Sequence, residues 1–179
     1  MRILAAIFLL SGAAFCADQA PTAASLVNGQ IAIIEGEIVS LAQAMPADKY
    51  NFRPTTGEFK TVRTFAQQAK HVATINYVCA AAVLEQKPGV EVGKDENGSE
   101  SIATKEQIVQ YLKDSFAYAH KAASTLTDTN QLDQIASPFG NNKMVRAAAA
   151  LCPSWHGFDH YGQMVVYARM NNVIPPASR

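Results

Sequence analysis

The sequence predicts an all-α fold, a four-helix bundle with a long crossover between helices two and three. Three observations predict it. Four apolar-periodic segments of roughly 20 to 30 residues fit one domain as a bundle. Proline- and glycine-bearing stretches separate them, and no convincing run of alternating polar and apolar residues marks a strand. The 179 residues, 49% hydrophobic and 17% charged, suffice for one core and not obviously for two.

The first 20 residues are set apart from this fold. Met1-Arg2 is a short positive start, Ile3 to Leu10 is unbroken apolar sequence, and Ser11-Gly12-Ala13-Ala14 is rich in small residues. This is the pattern of a secretory signal peptide, with cleavage expected between Ala14 and Ala20. The apolar run is short of the roughly 20 residues of a bilayer crossing. Phe15 is a poor neighbour for a lipid-modified Cys16. The expectation is an exported protein, periplasmic or secreted, with residues 21–179 as its domain in an oxidising compartment.

Helix one is predicted over about Ala23–Ala44, where Leu26, Ile33, Ile34, Val39 and Leu41 broadly follow helical spacing, and Met45-Pro46 ends it. Pro46 to Phe59, with Pro54 and Gly57, reads as a loop. Helix two is predicted over Lys60–Glu85, with Thr61 or Thr64 at its start and Lys87-Pro88-Gly89 as its stop. Pro88 to Ala103 is a solvated connection. It exceeds the roughly 2 to 8 residues that join antiparallel neighbours, so it predicts helices two and three parallel. Thr104 and Gln107 offer a capping box for helix three, which runs to about Leu126. Thr127 to Asn141 is read as a second long loop. Helix four is predicted over Asn142–Asn171, with Pro153 expected to kink it.

The net charge is zero, without a run of Lys or Arg. A nucleic-acid groove and a polybasic membrane patch are therefore excluded as expectations. Chemistry concentrates in His156-Gly157-Phe158-Asp159-His160. Two imidazoles four residues apart on a helix share a face and can reach one metal ion. A third histidine from another helix would complete a three-nitrogen site with open positions. His71 stands alone upstream, and the reading depends on whether it folds against the pair. His120, beside Lys121 and without a partner at four residues, reads as a surface or hydrogen-bonded residue. Gly157 occupies the position that the glutamate base holds in His-Glu-x-x-His, so the pattern is not that of a zincin. Asp159 points away from the shared face. Gln163 shares the stripe, and hydrogen bonding to a ligand histidine or bound water and plain packing are equal alternatives for it. Tyr111, Tyr118, Trp155 and Tyr161 are candidates to line the approach, or simply core.

From about Leu26 to Pro176 the chain resembles the DinB-like (DinB/YfiT) superfamily of metal-binding four-helix bundles. The resemblance lies in Met45 to Pro54 after helix one, His71 on helix two, His156 to Gln163 as His-x-x-x-His-x-Gly-Gln, and the ending Val166 to Pro176. It implies a divalent transition metal (nickel, zinc or iron) held by His71, His156 and His160. Tyr161 departs from the His or Arg that many relatives carry there. The resemblance implies a metal-dependent enzyme that transfers thiols to a small molecule; expected export, away from cytoplasmic thiol cosubstrates, makes a hydrolase using metal-bound water an equal expectation. A non-catalytic metal-binding or stress-related bundle, working through a partner or as a homodimer, is the alternative. If helices two and four run antiparallel and meet at the metal, Cys79 and Cys152 lie on one side of it at similar height. A Cys79–Cys152 disulfide and two separate buried thiols are both open.

Overall fold

The computed structural model describes residues 20–179; the signal-peptide reading, its cleavage point and Cys16 lie outside them. Four helices carry the fold: α1 (Ala23–Ala44), α2 (Phe65–Val83), α3 (Lys105–Ala123) and α4 (Arg146–Met170). Each of the first three opens on a threonine capping box, Thr22 with Ser25, Thr64 with Gln67 and Thr104 with Gln107. Reciprocal side-chain bonds there satisfy amide groups that the first turn leaves without partners. Thr64 is thus the cap of helix two. Because Thr64 caps, residues 60–63 stay outside the helix, which begins five residues later than predicted.

The helices form a ring in which α1 and α2 each pack against α3 and α4. Side-chain pairs fix their directions. Thr74 meets Tyr111, and Asn76 meets Ser115, so α2 and α3 ascend together. Gln68 meets His160 while Val83 meets Arg146 at the other end, so α2 and α4 are antiparallel. The crossover predicted between helices two and three does return along the bundle. Lys70 Nζ donates to Ser99 O at 2.8 Å and Arg63 donates to Asp95 O at 2.8 Å, which ties the segment back beside the start of α2.

The core is lined by Val27, Ile31, Ile34, Ile38 and Leu41 of α1, Phe65 and Val72 of α2, Leu112 and Phe116 of α3, and Met164 of α4. On α1 the buried stripe differs by a small rotation from the one expected. Leu26 and Ile33 are 58% and 51% exposed, because Val27, Ile31, Ile34 and Ile38 hold the i, i+4 face that meets α3 and α4.

One element was not foreseen. Gln134–Ala136, predicted as loop, and Lys143–Val145, predicted as the start of helix four, form the antiparallel strands β1 and β2 of a hairpin, pairing Ile135 with Met144. Three-residue strands carry too little alternation to stand out in sequence, and burial of Ile135 is what anchors this pair. α4 consequently starts at Arg146. It is assigned continuously through Pro153, which is buried. Among the described residues no helix is long and apolar enough to cross a membrane.

Candidate metal centre

His71 projects from the middle of α2, and His156 and His160 project from α4 one turn apart. The antiparallel packing brings the three together. Their ligand nitrogens all lie within 4.8 Å of one another, and the three histidines are positioned to hold a metal ion. Ring centroids are separated by 5.0 Å (His71–His156), 4.8 Å (His71–His160) and 4.5 Å (His156–His160).

Hydrogen bonds on the outer nitrogens decide which atoms face the shared space. His71 Nδ1 donates to the carbonyl of Glu96 at 3.1 Å. A carbonyl can only accept, so the proton sits on Nδ1 and Nε2 keeps its lone pair. His160 Nδ1 donates to Gln68 Oε1. The Gln68 amide is held in that orientation because its Nε2 donates to Gln163 Oε1 at 2.9 Å, and Gln163 Nε2 in turn donates to Asp159 at 3.3 Å. His71 Nε2 faces His156 Nε2 at 3.2 Å. Two nitrogens on one tetrahedral ion, each about 2.0–2.1 Å from it, stand roughly 3.3 Å apart. The donor set therefore fits a small divalent transition metal. Imidazole nitrogens suit zinc, nickel and iron alike.

All three imidazoles resist protonation. Burial, followed by the fields of His160, His71 and Arg63, pushes His156 down to about 3. Burial, then His71, pushes His160 down to about 4, with Asp159 acting in the opposite direction. His71 is lowered by burial and by Arg63, against the Glu96 carbonyl that raises it. The sign for stability follows. In the unfolded chain these groups titrate near 6.5, so below that pH the unfolded state takes up protons that the folded state refuses. The metal-free protein should hold its full stability above about pH 6.5 and lose it progressively as pH falls toward 4. Each histidine adds about 1.4 kcal/mol per pH unit to the slope. Urea unfolding at pH 7, 6 and 5 measures this, and a flat profile would mean that the imidazoles are solvated.

The loop that holds His71 is itself constrained. Asp95 and Glu96 adopt left-handed backbone conformations, φ +53° and +59°, which non-glycine residues rarely take. Arg63 fixes the segment from below, through Nε to Asn97 Oδ1 at 2.9 Å and Nη2 to Asp95 O. Strain of this kind persists only where surrounding contacts impose it, and here its product is the position of the Glu96 carbonyl.

The other candidates separate cleanly. Gln163 makes no hydrogen bond to an imidazole; Gln68, fully buried and not singled out in the sequence, links it to His160. Only its place three residues before His71, on the side facing α4, could have pointed to it. Asp159 is exposed, with Gln163 as its hydrogen-bond partner. His120 is a bridge between α3 and α1, with Nδ1 at 2.6 Å from Asn28 Oδ1 and Nε2 at 3.0 Å from Glu35. Tyr111 and Tyr118 flank Tyr77 between α2 and α3, away from α4. Tyr161 lies toward α1, where burial and then the charge of Glu37 raise its phenol above the ordinary range. Among the four aromatics only Trp155 borders the centre, its ring 6.0 Å from that of His156 and 6.5 Å from Phe139 on the hairpin. Cys79 and Cys152 pack against each other, fully buried, as free thiols. A cavity of about 640 Å³ between α2, the crossover and the hairpin reaches Glu96 but none of the three histidines.

Comparison with curated proteins returned no match. Among solved structures, the fold is similar to a DinB-like protein, YjoA, of Bacillus subtilis, with a TM-score of 0.59 and 19% identity. The match covers 82% of this chain and 92% of that one; at this identity it speaks for the fold alone. The sequence profile of the DinB superfamily matches residues 30–164, a span that runs from α1 through both histidine-bearing helices. With the bundle and the profile in agreement, this chain belongs to the DinB superfamily.

Proposed function

We propose that this protein is a metal-dependent enzyme that binds one divalent transition metal through His71, His156 and His160. The observation that carries the reading is the convergence of three buried, neutral imidazoles, two of which, His71 and His160, have their outer nitrogens anchored. His71 Nε2 carries a free lone pair and His156 Nε2 stands 3.2 Å from it, so both nitrogens can turn to one ion. A bound ion would act as a Lewis acid toward a coordinated water, thiol or carbonyl. The residues of the chain supply the rest. Glu96 fixes the His71 ring and Gln68 the His160 ring, burial keeps all three neutral at pH 7, and three protein ligands leave positions open.

Hydrolysis and thiol transfer both suit such a site. We favour hydrolysis, because the leader-like start Met1–Ala14 supports export, away from cytoplasmic thiol cosubstrates. The Glu96 carboxylate, 3.9 Å from His71 Nδ1, lies on the outer side of that ring, so the pH profile of activity should follow the metal's own ligand rather than a side chain. Elemental analysis of untagged protein, followed by turnover assays on esters, phosphoesters and thiol acceptors with and without chelator, tests this. Chelator-sensitive ester or phosphoester turnover supports hydrolysis; metal without any turnover leaves a binding protein; and protein without metal ends the proposal.

The role of Gln68 can be tested separately. Replacing it with Leu keeps the buried volume but removes the acceptor of the His160 Nδ1 proton. Zinc affinity should fall by about 10- to 100-fold, as for other groups that orient ligand histidines. Unchanged affinity would show that packing alone holds the ring.

A further inference from the structure

We propose that the polar cavity at the foot of α2, bounded by Arg53, Thr61, Arg63, Gln67 and Asn97, is the anion-binding arm of the metal centre. It would receive the carboxylate or phosphate of a small substrate whose reacting group sits at the imidazoles. This inference rests on the metal-site reading. The cavity measures about 410 Å³, within the usual range for small-molecule sites. Gln67 lies four residues before His71, on the same stripe of α2 and one turn below it. Arg63, just before the cap Thr64, is on the order of 10 Å from His71 along the axis at 1.5 Å per residue. The cavity thus lies below the histidines along α2, and its lining includes none of the three.

Its chemistry selects an anion. Arg63 is half-buried and oriented by two bonds to the crossover, so its fork is preorganised, and its Nη1 meets no acceptor among the described residues. Arg53 is exposed and makes no hydrogen bond or ion pair among the described residues. Asp95, the acid of this lining, offsets one of the two guanidinium charges and leaves a net positive cavity. Arginine pairs with carboxylate and phosphate through parallel bonds, which gives direction as well as attraction. The field of Arg63 already reaches all three imidazoles. Adding a divalent ion to neutral ligands would raise the positive potential, and an anionic substrate spanning both sites would relieve it.

Inorganic phosphate and succinate serve as probes in calorimetric titrations of the metal-free protein, where direct coordination by the ion cannot contribute. We expect saturable binding of at least one probe, with the preferred one telling phosphate from carboxylate. Arg53→Ala and Arg63→Gln should each weaken it by about tenfold or more, as loss of a charge-assisted bond does. Circular dichroism confirms that each variant is folded, and Arg53→Ala removes no hydrogen bond or ion pair among the described residues. No binding, or equal affinity in folded Arg53→Ala protein, overturns the proposal. Metal content of the same samples is read independently. Arginine-dependent anion binding in protein that never takes up metal would sink the metal reading and the arm's role in it. Metal uptake without anion binding would sink only the arm.

A separate observation carries a second inference: the geometry points to a Cys79–Cys152 disulfide stapling α2 to α4. In the antiparallel register set by Gln68–His160 and Val83–Arg146, the two cysteines face each other and share a small cluster with Ile75. Both are fully buried. Each thiol would lose one proton and one electron, the acceptor being a small-molecule or protein disulfide that leaves as two thiols. Because no such oxidant reaches these sulfurs in the folded bundle, the bond must form during folding. Protein exported to an oxidising compartment, denatured without reductant and alkylated, should leave Cys79 and Cys152 unmodified; reduction should expose both. Alkylation of both without reduction would overturn the bridge.

Discussion

Replacing His71 with alanine is expected to lower the metal content of the purified protein from about one ion per chain to near zero. α4 supplies two nitrogens one turn apart, and such a pair alone is a weak chelate. The third nitrogen comes from α2, and with it the preorganisation, since the Glu96 carbonyl fixes that ring before any ion arrives. His160→Ala should act in the same way from the other helix. His120→Ala is the control. Its ring is committed to Asn28 and Glu35, so metal content should stay at the wild-type level. Elemental analysis after dialysis against chelator reads all three, and retention of metal by His71→Ala would remove the three-histidine site.

Gly157→Glu should destabilise the protein by about 3 to 5 kcal/mol, from overpacking together with a buried, unpaired carboxylate. The substitution turns the segment into His-Glu-x-x-His on paper, yet it should create no general base. Gly157 faces α1. A Cβ there would stand 2.7 Å from Ile34 Cγ1, and Ile34 is completely buried. The new side chain would push α4 away from α1 and carry His156 and His160 with it, so metal affinity should fall along with stability. Chemical denaturation together with zinc titration measures both. A variant of wild-type stability would mean that α4 can shift at no cost.

The same glycine shows how sequence and structure divide the information. Its presence at position 157 was enough to set the pattern apart from a zincin. Why no side chain is tolerated there is a contact between α4 and α1, which only packing reveals. The four-helix class was legible because apolar spacing, proline stops and threonine caps are local signals, each acting within a few residues. Loop length carried one long-range fact, the parallel course of α2 and α3, because a chain that must return along the bundle needs the residues to do so. The hairpin at 134–145 escaped because strands this short depend on one buried isoleucine rather than on a repeating pattern.

For the site, the sequence by itself determined the His156/His160 pair, since a four-residue spacing on a helix fixes a shared face. It reached His71 through resemblance to relatives. What holds the rings was beyond it. Gln68 is an ordinary polar residue in an apolar stripe, and the Glu96 carbonyl has no sequence signal at all. Both meet the imidazoles only because antiparallel packing brings α2 to α4 and the strained crossover folds down onto His71. The spacing of the α4 pair is local and periodic, so the sequence determines it; the approach of His71, and the tautomer, protonation and preorganisation of the rings, depend on atoms far apart in the chain, so the tertiary structure decides them.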